Sequence, residues 1–231
     1  MTESPLQAVT TGDIVGSTDL PDQIRRNLPQ TLREVYEELR RDFPDALSHD
    51  LAISSGDSWQ ILMTEPTCSL ACTLRFWALL HARDITTRMA LAIDTVDFIS
   101  EHGLNESDGP VFRTSGRALT DLHDDQSFTL LLPDRVPTPA RLATAGFAEL
   151  VDLLLAEWTG PQSRAIAGIL RTYGTAEEVT QARIAEEWHP EPVTRQTVNR
   201  HLQRAHWERL ERTIDRFVRL TDTLSPQPSD V

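Results

Sequence analysis

Hydrophobic and polar residues repeat with a period of two in some stretches of the chain and with a helical period in others. Alternation or a short apolar run predicts strands at 6–14, 51–53, 59–63, 87–98 and 128–132. Gly56-Asp57 lies between the second and third strands, which predicts a hairpin with this dipeptide at its tip. Helical spacing predicts helices at 22–43, 67–82 and 112–122. This order is typical of an α+β fold with helices on one face of a sheet, the ferredoxin-like plan.

The pattern beyond the last strand predicts helices only. A helix is predicted at 141–158, and Gly160-Pro161 is expected to end it and to serve as a linker. Further helices are predicted at 162–173, after a cap at Thr180 and after a cap at Thr194. The small residue Ala185, a turn and a second helix with polar residues outward are typical of a helix-turn-helix.

These patterns predict two domains, a sheet domain at 1–159 and an all-α helix-turn-helix domain at 160–224. Residues 225–231, which include two prolines, are expected to be a disordered tail. The charge supports the division, because residues 1–159 carry 12 basic and 25 acidic side chains, whereas residues 160–231 carry 10 of each. The net charge of −13 therefore belongs to the first part.

The last helix carries an apolar seam. No Gly or Pro occurs at 194–224, so the helix that begins after Thr194 is expected to continue to Leu224. The seam residues follow spacings of three, four, three and seven: Trp207, Leu210, Ile214, Phe217 and Leu224. A homodimer is predicted in which a second copy helps to cover this seam, and packing within one chain is the alternative.

Composition excludes some classes of protein. No run of the 231 residues approaches the roughly 18 apolar residues of a membrane span. The N-terminus lacks the basic and apolar regions of a signal peptide, so a cytoplasmic location is expected. Cys68 and Cys72, with no His or Cys cluster nearby, are predicted to be reduced core residues. Trp59 and Trp77 are also expected in the core.

Two aspartates stand at predicted strand ends. Asp13 lies between Gly12 and Gly16 at the end of the first strand, and Asp57 lies at the hairpin tip. If the two strands are neighbours in one sheet, both carboxylates could face the same cation. Asp and Gly are also common in turns, so a purely structural turn is the alternative.

Three short motifs resemble those of a known family. The run Gly12-Asp13-Ile14-Val15-Gly16-Ser17-Thr18 resembles the first metal-site motif of class III nucleotide cyclases, and Ser55-Gly56-Asp57 resembles their second. The segment 112–117 falls where cyclases carry a V-N-x-A-x-R helix motif. With Asp-Gly-Pro at 108–110 and a helix-turn-helix behind it, the domain order resembles the SatD family of small bacterial proteins.

The resemblance implies roles for particular residues. Asp13 and Asp57 would hold Mg²⁺ or Mn²⁺ on a nucleotide, while Arg117 and Arg113 would contact phosphates or the transition state. The implied nucleotide-binding residues are Gly12, Ile14, Val15, Gly16, Ser17, Thr18 and Gly56. A solvated or acid-paired surface role is the alternative for the two arginines.

The sequence also departs from the family pattern. Adenine-selecting cyclases have a Lys where this chain has Ile53, and their catalytic Asn is replaced by Arg113. These departures argue against ordinary adenylate cyclase activity and leave nucleotide binding, or cyclisation of another base, open.

The helix after Thr194 carries candidate DNA contacts. Its polar residues are expected to face the major groove of double-stranded DNA: Thr194, Arg195, Gln196, Thr197, Asn199 and Arg200. A structural three-helix unit is the alternative. The preferred function is a DNA-binding transcriptional regulator with a nucleotide-sensing cyclase-like domain. The alternative function is a metal-dependent nucleotidyl cyclase whose C-terminal helices only assemble a dimer.

Overall fold

The computed structural model describes residues 4–54, 56–174 and 179–224. Its strands are β1 (Leu6–Ile14), β2 (Ala52–Ser54), β3 (Ser58–Met63), β4 (Thr87–Thr95) and β5 (Phe128–Leu131). Its α-helices are α1 (Asp22–Asp42), α2 (Ser69–His81), α3 (Pro110–Asp121), α4 (Thr138–Glu157), α5 (Gly160–Leu170), α6 (Gln181–Glu186), α7 (Arg195–Arg204) and α8 (Trp207–Leu224). The predicted disordered tail at 225–231 and Ser55 lie outside the described residues. The α+β class is confirmed.

The strands form one five-stranded mixed sheet in the order β2-β3-β1-β4-β5. β4 and β5 are parallel, and the other neighbours are antiparallel. The first four strands and α1 and α2 follow each other as β-α-β-β-α-β, which is the order of the ferredoxin-like plan. β1 lies in the middle of the sheet, so its C-terminal end is flanked by strands on both sides.

Successive residues of β1 point to opposite faces of the sheet. Thr10 Oγ1 lies 2.6 Å from Thr73 Oγ1 of α2, whereas Thr11 Oγ1 lies 2.8 Å from Ser115 Oγ of α3. Helix α3 therefore covers the face opposite to α1 and α2, where its Phe112 joins a smaller apolar cluster. The expectation that all helices pack on one face is wrong, because both faces of β1 are apolar and both need cover.

Gly160-Pro161 begins a helix and does not form a linker. The backbone N–H of Thr159 donates to Oε1 of Gln162 at 2.7 Å, and the Thr159 side chain accepts from the backbone of Gln162 in return. This capping box starts α5 directly after α4. Proline is tolerated in the first turn because its missing N–H has no partner there in any helix.

The helix predicted to run to Leu224 is broken. His206 adopts a positive φ of 58°, so α7 ends at Arg204 and α8 starts at Trp207. No Gly or Pro marks this break, because a left-handed conformation is open to other residues at some cost. The Trp188 ring stacks on His201 of α7 at a centroid distance of 5.8 Å.

The apolar seam on α8 is covered within one chain. Trp207, Leu210, Ile214 and Phe217 are 7% exposed or less and belong to the main hydrophobic cluster. After the break at His206, α8 runs in a different direction from α7 and packs against the 66–68 turn and α2. The prediction that a second copy covers this seam is therefore corrected.

An arginine connects the sheet part to the helical part. Arg75 of α2, whose side chain is 3% exposed, donates from Nε to Asp42 Oδ2 at 2.9 Å and also donates to the carbonyl of Ala167 in α5. Burial lowers the pKa of Arg75, and the charges of Asp42 and Glu38 act against that shift. A buried charge is tolerated here because carboxylates surround it.

Other predictions about the core are confirmed. Trp59 and Trp77 are buried, and Cys68 and Cys72 are free and buried. Burial raises the pKa of Cys68 to about 12, which keeps this thiol protonated. Within the ranges that the structure describes, no helix is both long and apolar enough to cross a bilayer.

Candidate functional site

The two aspartate motifs meet at one end of the sheet. β1 and β3 are neighbours with Asp13 opposite Ser58, so Asp57 directly precedes the residue that pairs with Asp13. Ser17 Oγ donates to Asp57 Oδ2 at 2.6 Å. This hydrogen bond joins the turn after β1 to the tip of the β2–β3 hairpin.

Arg88 binds the carboxylate of Asp13. It stands opposite Asp13 on β4 and donates from Nε to Oδ1 at 3.1 Å and from Nη2 to Oδ2 at 2.7 Å. The hydrogen bond to Asp13 raises the pKa of Arg88, and the nearby charge of Asp124 contributes to the same direction. Both side chains are less than a third exposed. Arg88 is not among the site residues predicted from the sequence, although alternation in the fourth strand places it on the face opposite to Met89.

A pocket opens beside this ion pair. It has a volume of about 370 Å³ and lies between the turn after β1, the start of β4 and the loop before β5. The side chains that give it charge are Asp13, Arg88, Asp124 and Asp125, and Gln126 and Ser127 complete its polar wall. The loop that supplies Asp124 and Asp125 follows α3. It lies beside Asp13 only because the strands on either side of it pair into the same sheet.

Both predicted metal ligands already have partners within the chain. Both carboxylate oxygens of Asp13 accept hydrogen bonds from Arg88, and Asp57 accepts from Ser17. Within residues 4–54, 56–174 and 179–224, no group of three His, Cys, Asp or Glu side chains is arranged to hold an ion. The Mg²⁺ or Mn²⁺ that the cyclase resemblance implies therefore stays a prediction.

The glycines of the two motifs have different structural reasons. A Cβ on Gly12 would overlap the indole of Trp59 and lie 2.7 Å from the carbonyl oxygen of Arg88, so packing requires a glycine there. Gly16 has a positive φ of 63° in an exposed turn, and Gly56 has a positive φ of 87° at the hairpin tip. Close packing explains the first position and turn geometry the other two.

The turn after β1 exposes backbone donors. The N–H of Val15 bonds to Thr86 O and that of Asp19 bonds to Gly16 O. Among described atoms, no acceptor is found for the N–H groups of Gly16, Ser17 and Thr18. Ile14, one of the predicted nucleotide-binding residues, is buried in the core. It therefore offers its backbone, and not its side chain, at this turn.

The structure does not bring Arg113 to Asp13. Arg113 donates to Asp108 Oδ1 at 2.7 Å and to Asp97 Oδ2 at 3.2 Å, just beyond the end of β4 that pairs with Leu6. Arg88 and Thr95, at the two ends of β4, are seven residues apart, roughly 23 Å in a strand. Arg113 is therefore a surface residue that is paired with acidic side chains.

Arg117 lies one helical turn closer to the Asp13 end of the sheet. It is exposed, and in the described part of the chain it has no ion pair. The structure places it on the face of α3 that also carries Arg113, four residues earlier. A catalytic role for either arginine stays a prediction.

The second candidate surface is α7. Thr180 and Thr194 each accept a hydrogen bond from the backbone three residues later, as predicted for caps of α6 and α7. The two helices pack together, and Val193 N donates to Ala185 O at 3.0 Å in the turn between them. The buried residues Val198 and Leu202 hold α7 against the core, which leaves its other face in solvent.

The exposed face of α7 is basic. Arg195, Arg200 and Arg204 are exposed, and no ion pair joins any of them to a carboxylate within the described ranges. Burial lowers the pKa of His201, and the charges of Arg200 and Arg204 lower it further. An open pocket of about 600 Å³ at the start of α7 is lined by Gln181, Thr194, Arg195, Gln196 and Asn199. Four of the six predicted DNA-contacting residues are thus exposed, and the other two, Thr197 and Asn199, are half-buried. The hydroxyl of Thr197 lies 3.0 Å from that of Thr194.

Comparison with known proteins yields structural neighbours only. No family model matches the chain, and no curated protein matches it. Solved structures that resemble it include a bacterial light-regulated adenylyl cyclase, at 13% identity and a TM-score of 0.40 over 56% of this chain and 45% of that one. The guanylyl cyclase Cya2 aligns at 11% identity and a TM-score of 0.40 over 61% of this chain and 78% of that one. The adenylyl cyclase CyaB from P. aeruginosa aligns at 11% identity and a TM-score of 0.37 over 56% and 77%.

The chain spans less than half the length of the light-regulated cyclase that it resembles. All three neighbours are adenylyl or guanylyl cyclases. The resemblance to the SatD family stays a prediction.

Proposed function

We propose that this chain is a DNA-binding regulator that inserts α7 into the major groove of double-stranded DNA. The observation that carries the proposal is the run of three exposed arginines on α7 without carboxylate partners in the described residues. Phosphate groups are the complementary partner for unpaired guanidinium groups.

The side chains around these arginines suit base recognition. Gln196 and Asn199 lie on the exposed or half-exposed side of the same helix. Arg pairs with guanine through two hydrogen bonds, whereas Asn and Gln pair with adenine. The packing of α6 across the start of α7 supports a helix-turn-helix arrangement, in which the first helix positions the second.

The experiment is selection of duplexes from a randomised double-stranded library, followed by fluorescence anisotropy with a selected duplex. Arg200→Ala removes a central guanidinium, and we expect an affinity loss of roughly 5- to 150-fold, or about 1 to 3 kcal/mol. Arg26→Ala on α1, also a highly exposed arginine, is the matched control and should bind like the wild type. Failure to enrich any duplex, or equal losses in both variants, would mean that the helical unit is structural.

Salt dependence separates the roles of the arginines. Replacing an arginine that contacts only phosphate should reduce the slope of log affinity against log salt by about one. Arg195→Ala and Arg204→Ala can be measured in the same titration, because both side chains flank the centre of the helix. An unchanged slope in all three variants would show that α7 does not touch the DNA backbone.

We further propose that the sheet end binds a nucleotide. The Ser17–Asp57 hydrogen bond supports this second candidate function, because it joins the two predicted motifs at the end of the sheet where the pocket beside Asp13 opens. The unbonded amides of Gly16, Ser17 and Thr18 and the guanidinium of Arg88 are donors for phosphate oxygens. We favour binding of the nucleotide without its cyclisation. Arg113, one of the two predicted catalytic arginines, lies at the end of the sheet opposite to Asp13.

Incubation with each nucleoside triphosphate in the presence of Mn²⁺ tests binding and turnover together. Calorimetry reports binding, and a pyrophosphate assay reports cyclisation. We expect binding that Ser17→Ala weakens, without release of pyrophosphate. Pyrophosphate release that is lost in Asp13→Asn would instead establish the nucleotidyl cyclase, and absence of any binding would remove the nucleotide from the proposal.

A further inference from the structure

A cavity lies between the sheet part of the chain and its helical part. It has a volume of about 350 Å³. The C-terminal ends of α1 and α2 line one side, and α5, α6 and the loop 187–189 line the other. A cavity of this size at a boundary between structural units is typical of a site for a small molecule.

Part of the lining is apolar and closely packed. Leu79, Ile184 and Trp188 line the cavity and are 7% exposed or less. Gly168 lies against Ile184, because a Cβ on this glycine would come within 2.8 Å of Ile184 Cγ2. The guanidinium carbon of Arg164 lies 5.5 Å from the centre of the Trp188 ring. This apolar wall suits the hydrocarbon part of an organic molecule.

The polar part of the lining is rich in arginine. The arginines that line the cavity are Arg75, Arg83, Arg164 and Arg171, and the carboxylates that line it are those of Glu38 and Glu187. Asp42 does not line the cavity but pairs with Arg75. Even when Asp42 is counted, four positive charges stand against three negative ones among these described residues.

The remaining positive charge belongs to Arg164. The three carboxylates are already engaged in the pairs Arg83–Glu38, Arg75–Asp42 and Arg171–Glu187. Among the described residues Arg164 has no ion pair, and it donates from Nη1 to His189 O at 2.6 Å and from Nη2 to Ala82 O at 3.3 Å. A guanidinium has five N–H groups, so three of those of Arg164 are open to a further acceptor.

A second guanidinium at the cavity also has an N–H group without an acceptor. Arg171 Nε is buried and makes no hydrogen bond within the ranges that the structure describes, and its contact with Asp42 Oδ1 is long, at 3.5 Å. Carboxylate and phosphate oxygens are the acceptors that guanidinium groups bind most strongly. An anion in the cavity would therefore complete the hydrogen bonding of its arginines and offset the cost of burying their charge.

We propose that this cavity binds a small organic anion, whose carboxylate or phosphate group accepts hydrogen bonds from Arg164 and whose hydrocarbon part lies against Leu79 and Ile184. The volume admits a molecule built on a single ring. A neutral molecule would leave the charge of Arg164 without a counter-charge, and a cation would be repelled by it. The site is independent of the proposed function, because it uses neither α7 nor the pocket beside Asp13.

A chemical-shift titration of the ¹⁵N-labelled full chain tests the proposal and locates the bound molecule. The probes are benzoate, phenyl phosphate, inorganic phosphate and benzyl alcohol. We expect at least one of the two aromatic anions to shift the amide signals of Arg164, Gly168 and Ile184, and the one that binds more tightly identifies the charged group. Benzyl alcohol, which has the ring without the charge, should leave these signals unchanged. Inorganic phosphate, which lacks the ring, should bind more weakly than the tighter aromatic anion.

Variants of the arginines test the contact itself. Arg164→Gln removes the guanidinium, and we expect the dissociation constant of the tighter aromatic anion to rise roughly tenfold or more. Arg83→Gln changes a more exposed arginine of the same cavity, and it should raise that constant about threefold or more because it removes a positive charge. Arg26→Gln on α1 is the matched control and should bind like the wild type. Circular dichroism compares the folding of the three variants.

Three results would overturn the proposal. The first is the absence of shifts at the cavity with both aromatic anions, including the case in which the shifts are confined to α7 or to the turn after β1. The second is binding of benzyl alcohol at the cavity as tight as that of the anions, since the charge would then be irrelevant. The third is an affinity that neither Arg164→Gln nor Arg83→Gln changes. Inorganic phosphate that binds as tightly as the aromatic anions would overturn the organic class of the ligand.

Discussion

Arg88 and Asp13 face each other on neighbouring antiparallel strands and share two hydrogen bonds, at 3.1 Å and 2.7 Å. The guanidinium thus holds the carboxylate that the sequence predicts to bind a cation. A charged partner of this kind has to move before an ion can take its place. The Arg88–Asp13 ion pair is therefore the feature at this end of the sheet that an experiment can test most directly.

Removal of Arg88 should make Asp13 available. We expect Arg88→Gln to raise the affinity for Mn²⁺ at least about threefold, because a positive charge no longer competes with the ion. Electron paramagnetic resonance of free Mn²⁺ measures the change, and Arg26→Gln on α1 is the control. If Arg88→Gln and the double variant Asp13→Asn/Arg88→Gln bind Mn²⁺ equally, Asp13 is not a ligand.

Gly12 should be required for stability by the packing of Trp59. Gly12→Ala forces the indole or the β4 backbone to shift, and a loss of roughly 1 to 3 kcal/mol in the free energy of unfolding is expected. Gly116→Ala is the matched control, since a Cβ there meets open space in the middle of α3. It should stabilise the protein by roughly 0.5 to 1 kcal/mol.

Urea unfolding of the two glycine variants gives the comparison directly. A neutral effect of Gly12→Ala would show that Trp59 can move without cost. The same variant should be tested for nucleotide binding, so that a loss of stability is not mistaken for the loss of a binding residue.

Arg75 should contribute far more to stability than an exposed arginine. Arg75→Met leaves the buried carbonyl of Ala167 without this donor and leaves Asp42 with only the longer contact to Arg171 Nε at 3.5 Å, and the expected loss is roughly 3 to 5 kcal/mol. Arg40→Met breaks an exposed pair with Asp50 and should cost about 1 kcal/mol or less.

Chemical denaturation of both arginine variants tests this difference. The double variant Arg75→Met/Asp42→Asn should lose less than the sum of the two single changes, since the pair is coupled. Equal small losses for Arg75→Met and Arg40→Met would show that water replaces the guanidinium at the junction of α1, α2 and α5.

His81 should make stability depend on pH. Its ring stacks on Trp77, Nδ1 lies 2.8 Å from Ser163 Oγ, and burial lowers its pKa. Since the unfolded form has a pKa of about 6.5 and the folded form a lower one, protonation favours unfolding. The contribution of His81 is therefore complete above pH 6.5 and is lost as the pH falls through the folded pKa.

Free energies of unfolding between pH 5 and pH 8 measure this effect. His81→Gln should reduce the loss of stability on the acidic side relative to the wild type. An identical acid profile in wild type and His81→Gln would mean that the ring is protonated in the fold without cost.

Much of the secondary structure followed from local pattern. Strand β1 starts and ends where alternation and the following glycines predict, and the caps at Thr180 and Thr194 mark the starts of α6 and α7. These features depend on hydrogen bonds and side-chain directions within a few residues, which the order of amino acids specifies by itself. The hairpin between β2 and β3 is confirmed for the same reason.

Tertiary structure decided the rest. The break at His206 and the burial of the α8 seam depend on packing against residues that are distant in the sequence. No nearby residue in the sequence predicts either of them. Arg88 becomes the partner of Asp13 only through the pairing of β1 with β4, strands 75 residues apart at this contact. The sequence alone determined which side chains are available for chemistry. The register of the sheet determined that a guanidinium, rather than a second carboxylate, lies against Asp13. Strand pairing brings together residues that are far apart in the sequence, and the order of amino acids does not specify which residues these are.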